Sequence, residues 1–151
     1  MQLKSILTPE RTFCGVQGGS KKRIFETVSD LIAQDLPYIN SDELFTNLLA
    51  RERLGSTGLG YGIAIPHCRL QNCVSSAATL VKLDKPIDFD AIDGNPVDLL
   101  CVLIVPQEEN QVHLEILAGL AELFNQEAFR RKLRSAQNAT LLYQLAVNFP
   151  D

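Results

Sequence analysis

The fold class of this chain is decided by the stretch VDLLCVLIV, residues 97–105. Its last seven residues, from Leu99 to Val105, form the longest uninterrupted apolar run in the sequence. Seven residues suit a strand and are far too few to span a bilayer. Because this strand lacks polar alternation, we expect it to be covered on both faces, as in an α/β sheet.

Helical and strand patterns surround this segment on both sides. Apolar residues at helical spacing predict helices over approximately residues 21–34, 41–54, 110–124, 128–133 and 140–147. Further strands are predicted over residues 12–16, 63–65 and 74–83. Residues 84–95 are rich in turn formers, and we expect Phe89 and Ile92 to anchor them. We therefore predict an α/β fold with a mixed sheet flanked by helices, as one compact domain over residues 1–151.

Overall charge and composition exclude several classes of protein. The net charge is −4, whereas a protein that binds a nucleic-acid backbone normally presents a basic face. Two local basic clusters, at residues 21–23 and 130–132, are interpreted as solvated helix faces. A signal peptide would show a basic start followed by an apolar segment, and this N-terminus has no such pattern. We therefore expect a cytoplasmic chain without membrane insertion.

Four cysteines give no sign of a disulfide framework. Cys14, Cys68, Cys73 and Cys101 contain no CxxC pair, and their density is low. Reduced thiols in a cytosolic protein fit this pattern. Cys101 lies in the apolar run and is predicted to be a small core residue.

The segment GSTGLGYG, residues 55–62, has four glycines among eight residues and is predicted to be neither helix nor strand interior. It leads into the short strand at residues 63–65, then Pro66, then His67. Glycines allow backbone N–H groups to approach an anion, and a proline turn restricts the orientation of the following imidazole. Neutral imidazole is a good nucleophile near pH 7, so His67 is a candidate phosphoryl acceptor.

The only other histidine, His113, and two arginines are candidates for supporting roles. His67 and His113 each follow a predicted buried strand, and ligands of open α/β sheets bind beyond strand ends. His113 falls in the first turn of a predicted helix, where an anion is favoured. Arg51 and Arg53 precede the glycine segment, and either could supply a guanidinium for phosphate. Helical periodicity does not choose between them.

Other chemistries are poorly supported. The sequence has no GxxxxGK[ST] motif for nucleotide phosphates and no GxSxG motif for a serine nucleophile. A zinc site could be imagined from His67, Cys68, Cys73 and His113, but their spacing matches no standard structural zinc pattern. Structural or exposed roles for the two histidines remain alternatives at this point.

A family resemblance adds to these inferences. The stretch RERLGSTGLGYGIAIPH, residues 51–67, strongly resembles the active-site segment of the fructose/mannitol-type enzyme IIA family of the bacterial phosphoenolpyruvate phosphotransferase system. Two further blocks carry the resemblance: PIxFDAIDGxPVDLL over residues 86–100, and Val105-Pro106 followed by His113, Leu114 and Leu117. The run at residues 51–58 is similar to the nitrogen-regulatory branch of that family.

The resemblance implies a phosphotransferase in which His67 is phosphorylated. It implies that His113 and Arg51, rather than Arg53, line the site and help to neutralise the phosphoryl group. The implied donor is a phosphorylated histidine on a small carrier protein, with no cofactor, metal or nucleotide. The implied regulatory targets are potassium-transport or sensor-kinase proteins. Cys68 departs from the family, whose members commonly have glycine there, and it is expected to narrow the carrier's approach or to add redox sensitivity.

Three functions follow as alternatives. The first is a regulatory phosphocarrier whose binding to targets depends on phosphorylation, because added charge in a crevice can switch partner binding. The second is a sugar-transport enzyme IIA that passes its phosphoryl group to a IIB domain. The third is a binding module whose histidine is not phosphorylated.

Overall fold

The computed structural model describes residues 2–108 and 110–150. Its strands are β1 (Leu7–Val16), β2 (Gly58–Gly60), β3 (Ile63–Ala64), β4 (His67–Leu70), β5 (Ala77–Ile87) and β6 (Val97–Pro106). Its helices are α1 (Lys21–Asp35), α2 (Ser41–Leu54), α3 (Asn110–Phe124), α4 (Glu127–Ser135) and α5 (Ala139–Val147). A 3-10 turn covers Leu3–Ser5.

The strand predicted from the apolar run, β6, organises the sheet. It pairs parallel with β3 and β4 on one side and antiparallel with β5 on the other. β1 pairs parallel with β5, and β2 pairs antiparallel with β3. The order is therefore β1-β5-β6-β3-β2, with β4 also beside β6. The predicted mixed α/β sheet is confirmed.

Helices cover both faces of this sheet and form two cores. Leu100, Val102 and Ile104 of β6 pack into the cluster that contains the apolar residues of α1 and α2. The alternate residues of β6 belong to the cluster that contains α3, α4 and α5. Successive side chains of a strand point to opposite faces, so a continuous apolar run serves both cores.

Local signals in the sequence set the bounds of α2, which agree with the predicted range 41–54. The side chain of Asn40 accepts a hydrogen bond from the backbone N–H of Glu43 and caps the helix N-terminus. The helix ends where Gly55 follows Leu54. Its buried stripe contains Leu44 and Leu48. The other four predicted helices are confirmed, each within two residues of the predicted bounds.

The strands differ from the predictions in several places. β1 begins at Leu7, five residues before the predicted start, and β5 begins at Ala77, three residues after it. β5 continues to Ile87, so the predicted turn region at residues 84–95 is wrong over its first residues. Gly58–Gly60 forms a strand inside the segment predicted to have none. This is a three-residue strand at the edge of the sheet, where pairing with β3 alone tolerates glycine. The sequence analysis also missed β4, which begins at His67.

Of the two apolar anchors predicted for residues 84–95, Phe89 is confirmed and Ile92 is wrong. Phe89 is fully buried and its ring packs edge-on against Phe25, with centroids 5.8 Å apart. Ile92, however, is 91% exposed, because only part of the loop after β5 turns inward. On α3, Ile116, Leu120 and Phe124 form the buried face that the apolar spacing of residues 110–124 indicates, whereas Val112, near the beginning of the helix, is exposed.

The two basic clusters are not simply solvated helix faces. Lys21 Nζ lies 2.9 Å from a carboxylate oxygen of the buried Glu52. The side chain of Arg130 is buried: it donates to the carbonyl of Phe124 at 2.8 Å and lies over the ring of Tyr61. A charged side chain buried with specific partners contributes to structure, so the interpretation holds only for the exposed members of each cluster. In the described part of the chain, the helices are too short or too polar to cross a bilayer.

Candidate active site: a cavity between α2, β4 and α3

Both histidines line one cavity of about 470 Å³. The cavity lies where α2, β4, the end of β6 and the first turns of α3 meet. Its walls are formed by Asn47, Ala50, Arg51, His67, Cys68, Arg69, Leu103, Val105, His113, Leu114 and Leu117. The structure thus brings together the three residues singled out from the sequence, His67, His113 and Arg51.

His67 reaches the cavity through a break in the strand that runs beside β6. β3 pairs with the first half of β6, and Pro66, which has no N–H, interrupts the ladder. Pairing then resumes with His67 opposite Leu103, while the carbonyl of Pro66 accepts from the N–H of Leu103 at 2.9 Å. His67 is therefore the first residue of β4 and not a residue beyond a strand end, as the sequence analysis expected.

One hydrogen bond defines the chemical state of the His67 imidazole. Nδ1 lies 2.8 Å from the carbonyl oxygen of Ile65. A carbonyl oxygen only accepts hydrogen bonds, so Nδ1 must carry the proton. In the neutral ring the lone pair then lies on Nε2, which is the nucleophilic nitrogen.

The surroundings of His67 favour that neutral form. Burial lowers the pKa of the half-buried imidazole below its ordinary value, and the positive charge of Arg51 lowers it further. The hydrogen bond to Ile65 and the negative charge of Glu52 oppose this shift. The balance leaves the imidazole uncharged over a wider pH range than a free histidine.

Arg51 and Arg53 differ in position although both lie in the last turn of α2. Arg51 lines the cavity, and its Nη1 donates to the carbonyl of Gly55 at 2.8 Å. This bond satisfies a free carbonyl at the helix C-terminus and orients the guanidinium. Arg53 is exposed and does not contribute to the described cavity wall.

His113 lies in the first turn of α3 and is 3% exposed. Its neighbours in the cavity wall on the same helix are Leu114 and Leu117. The N-terminal end of a helix carries partial positive charge, so this wall favours an anion.

The glycine segment has a different role from the one expected. Among the described residues that line the cavity, none belongs to residues 55–62. A Cβ at Gly62, where φ is +79°, would lie 2.5 Å from Arg134 Nη2, and one at Gly58 would lie 2.8 Å from the Cβ of Ala91. These glycines permit close packing of the β2–β3 hairpin against neighbouring loops, and this hairpin leads directly into Pro66 and His67.

Sequence reasoning missed Glu52, a buried carboxylate between the two arginines. Its side chain accepts from the backbone N–H and the hydroxyl of Thr57 and pairs with Lys21. A buried charge is retained when such partners compensate it. In the sequence, Glu52 is simply an acidic residue in the last turn of a predicted amphipathic helix. Such residues are too common to indicate a buried carboxylate.

Cys68 does not have the environment of a reactive thiol. It is 8% exposed and belongs to the core between the sheet and α1 and α2. Burial raises the pKa of its thiol to about 12, so the reactive thiolate is scarce at neutral pH. The expected redox sensitivity therefore finds no support. Across residues 2–108 and 110–150, no cluster of three or more His, Cys, Asp or Glu side chains is arranged to hold a metal ion.

The fold and the cavity together define an α/β protein with a neutral imidazole beside a guanidinium and a second histidine. A comparison with protein families then identifies the group. The family described as "Phosphoenolpyruvate-dependent sugar phosphotransferase system, EIIA 2" matches residues 5–148, and the chain belongs to this family.

Several proteins that are similar to this chain are named nitrogen regulatory proteins. The chain is 50% identical to the nitrogen regulatory protein of Pseudomonas aeruginosa over 148 residues, covering 98% of this chain and 96% of that one. It is 42% identical to the nitrogen regulatory protein of Escherichia coli over 146 residues, covering 96% and 89%. The crystal structure of nitrogen regulatory protein IIA-Ntr from Neisseria meningitidis superposes with a TM-score of 0.87 at 36% identity, covering 94% and 97%. The family supports a phosphocarrier and regulatory role.

Proposed function

We propose that this chain is a cytoplasmic regulatory phosphocarrier that accepts a phosphoryl group on Nε2 of His67. The donor is a phosphohistidine of a small carrier protein, and the product binds target proteins according to its phosphorylation state. The observation that carries the proposal is the Nδ1–H···O=C bond to Ile65, which leaves Nε2 as the free nucleophile in a cavity shared with Arg51 and His113. Residues 1–151 act as one enzyme IIA domain.

The transfer exchanges one nitrogen–phosphorus bond for another. The lone pair of His67 Nε2 attacks phosphorus, and the bond from phosphorus to the donor's imidazole breaks. The electron pair of that bond returns to the donor's ring nitrogen. His67 keeps its proton on Nδ1, so no proton has to move during the step.

Arg51 and His113 stabilise the transferring group. In the transition state the negative charge is spread over three equatorial oxygens, and catalysis consists mainly of positioning and electrostatic stabilisation. The guanidinium of Arg51 has donors beyond the one bound to Gly55 and can point them at those oxygens. His113 lines the same cavity from α3.

Regulation follows from the charge that the phosphoryl group adds. Up to about two negative charges would enter a cavity rimmed by Arg51, Arg69 and the exposed Leu114. A partner that docks on the unmodified rim would meet a changed electrostatic surface after transfer. Potassium-transport or sensor-kinase proteins are the proposed targets.

Mass spectrometry of the intact protein under mildly alkaline conditions tests this proposal, after incubation with phosphoenolpyruvate and the upstream carrier proteins. We expect one added phosphoryl group, its loss in His67→Ala and slower transfer in His113→Ala. A wild-type protein that stays unlabelled would support the non-phosphorylated binding module. A labelled His67→Ala protein would overturn the assignment of the acceptor.

A second incubation separates regulation from sugar transport. The chain shares its fold with mannitol enzyme IIA of Escherichia coli, at a TM-score of 0.75 and 17% identity. Labelled protein is therefore mixed with isolated IIB domains. We expect the label to remain on the chain over the time in which the donor loads it; rapid onward transfer would instead favour the transport function.

A further inference from the structure

A buried carboxylate is connected to the His67 imidazole by an unbroken series of hydrogen bonds. The series begins at Glu52, whose side chain is 3% exposed. Its two carboxylate oxygens lie 3.2 and 3.1 Å from the backbone nitrogen of Thr57, and Oε1 accepts from the Thr57 hydroxyl at 2.5 Å. Thr57 itself is buried. The carboxylate therefore holds both donors of this residue away from water.

The next two links pass through the backbone. The carbonyl of Thr57 accepts from the N–H of Ile65 at 3.0 Å, a bond that closes the β2–β3 hairpin. The carbonyl of Ile65 accepts from Nδ1–H of His67 at 2.8 Å. Successive bonds are joined by the N–H and C=O groups of one residue, first Ile65 and then Thr57, and all donors point in the same direction, from the histidine toward the carboxylate. Hydrogen bonds arranged in this way polarise one another.

We propose that Glu52 is a positioning residue for His67, acting through Thr57 and Ile65 to hold the imidazole in its Nδ1–H tautomer and in one orientation. This inference rests on the proposed function, because it concerns the presentation of Nε2 to the donor. Glu52 does not line the cavity, so it does not touch the phosphoryl group. Its role resembles that of a carboxylate that orients a catalytic histidine directly, except that two backbone links lie between.

Lys21 completes the arrangement on the side away from the histidine. Its Nζ lies 2.9 Å from Oε2 of Glu52 and 4.7 Å from the ring centroid of Phe89. The ammonium group compensates the buried carboxylate and ties the beginning of α1 to the end of α2. Both ends of the series are thus held by the sheet and two helices rather than by a mobile side chain.

The charges around His67 give the proposal a measurable electrostatic consequence. The charged or titratable groups near the imidazole are Arg51 and Glu52 from α2, Cys68 and Arg69 from β4 and His113 from α3. Among these, Glu52 raises the pKa of His67, against the larger lowering by burial. Removing its charge while keeping its shape should therefore lower the pKa of His67 further.

The variant Glu52→Gln tests the inference, with Asp35→Asn as a matched control. Asp35 pairs with the buried Arg11 at 2.9 Å, but Arg11 lies on β1, which β5 and β6 separate from β3 and β4. Both substitutions remove one carboxylate charge from an ion pair. Only Glu52→Gln also places an amide N–H₂ group against either the N–H of Thr57 or the ammonium of Lys21.

Three readouts distinguish positioning from simple stabilisation. In ¹⁵N NMR spectra of the unphosphorylated protein, Glu52→Gln should show His67 as a mixture of tautomers and a titration midpoint at lower pH than wild type. Its single-turnover transfer rate at saturating donor should fall roughly 10-fold, with donor affinity unchanged. Asp35→Asn should lose thermal stability but keep the wild-type tautomer, titration midpoint and transfer rate. Normal tautomer, midpoint and rate in Glu52→Gln would overturn the inference.

A milder pair of variants keeps the test decisive if Glu52→Gln does not fold. Thr57→Ser retains the hydroxyl and should behave as wild type. Thr57→Val removes the hydroxyl bond that helps to fix the Glu52 carboxylate but keeps the backbone bond, and it should shift the tautomer population and the transfer rate in the same direction by a smaller amount. Equal tautomer populations and rates in these two variants would also overturn the inference. Wild-type protein that takes no label would instead refute the proposed function, so the two failures are distinguishable.

Discussion

At the scale of single residues, the His67 imidazole owes its reactivity to its immediate neighbours. Pro66 interrupts the strand so that the ring folds back onto the carbonyl of Ile65, two residues earlier. Burial and Arg51 disfavour the imidazolium. The result is a neutral ring with a defined nucleophilic nitrogen, which a solvent-exposed histidine would lack.

We expect the rate of phosphoryl acceptance to depend on pH with a midpoint below the ordinary histidine value of about 6.5. The neutral ring is the reactive form, and the pKa of His67 is lowered, so acceptance should be fully retained above that value and lost as the pH falls through the lowered pKa. Single-turnover rates measured across pH, beside an NMR titration of His67, check this. A midpoint above 6.5 for both would contradict it.

The two arginines of α2 should differ in their effect on transfer. Arg51→Gln removes the guanidinium in the cavity wall, and we expect a fall in the transfer rate of about 10- to 100-fold. It should also raise the pKa of His67, because a cation that disfavours the imidazolium is gone. Arg53→Gln is the matched exposed control. It should leave the transfer rate within about twofold of wild type and the pKa of His67 unchanged. The opposite order would argue against a role for Arg51.

At the scale of elements, the glycine segment shapes the hairpin that delivers His67. β2 and β3 have only three and two residues, so side-chain packing alone cannot hold them. Their turn is fixed instead by polar contacts to its one exposed residue: the N–H of Tyr61 donates to Asp93 at 3.0 Å, and its carbonyl accepts from Arg134 at 2.5 Å. Arg134 is in turn paired with Asp98 at 2.8 Å.

We expect Gly62→Ala to destabilise the fold more than Gly94→Ala. Both glycines have φ above +70°, which costs an alanine about 1–2 kcal/mol. At Gly94 a Cβ meets no described atom within 4 Å, so this backbone cost is the whole effect. At Gly62 a Cβ would lie 2.5 Å from Arg134 Nη2 and 2.9 Å from Asp98 Oδ1 and would add about 1–3 kcal/mol of overpacking. Chemical denaturation of the two variants measures the difference, and equal losses would contradict the packing argument.

At the scale of the whole molecule, the sheet divides the interior into two cores that carry the buried thiols. Cys68 and Cys73 lie in the core beneath α1 and α2, and Cys101 lies in the core beneath α3, α4 and α5. Cys14 is only partly buried at the edge of the second core. Access to the three buried thiols therefore requires opening of the structure.

We expect alkylating reagents to modify Cys14 of the native protein well before Cys68 and Cys101. Burial raises the pKa of both buried thiols to about 12, which leaves little thiolate to react. In denaturant all four cysteines should react at similar rates. Peptide mapping after timed alkylation provides the measurement, and rapid native modification of Cys68 would show that the cavity wall opens.

Much of the fold was accessible from local patterns. The helices α1 and α2 follow from apolar spacing and from caps within a few residues of their ends, as at Asn40. The apolar run of β6 predicted a strand with helices on both sides. These signals depend on neighbours along the chain, so no tertiary information is needed to interpret them.

The features that were missed depend on contacts between distant segments. Strand β4 and the extension of β5 to Ile87 have weak patterns of their own and exist because β6 pairs with them. The exposure of Ile92 is decided by which side of its loop faces Phe25 and the sheet. Pairing and packing across many residues can override local propensity.

For the candidate site, the sequence alone determined which groups are available: two imidazoles, two helix-end arginines and a proline before His67. Only the tertiary structure decided that both imidazoles and Arg51 share one cavity, that Nδ1 bears the proton, and that Glu52 is connected to the ring. The physical reason is that the type of a residue sets its chemistry, whereas its charge state and partners depend on burial and on atoms that only folding brings within about 3 Å.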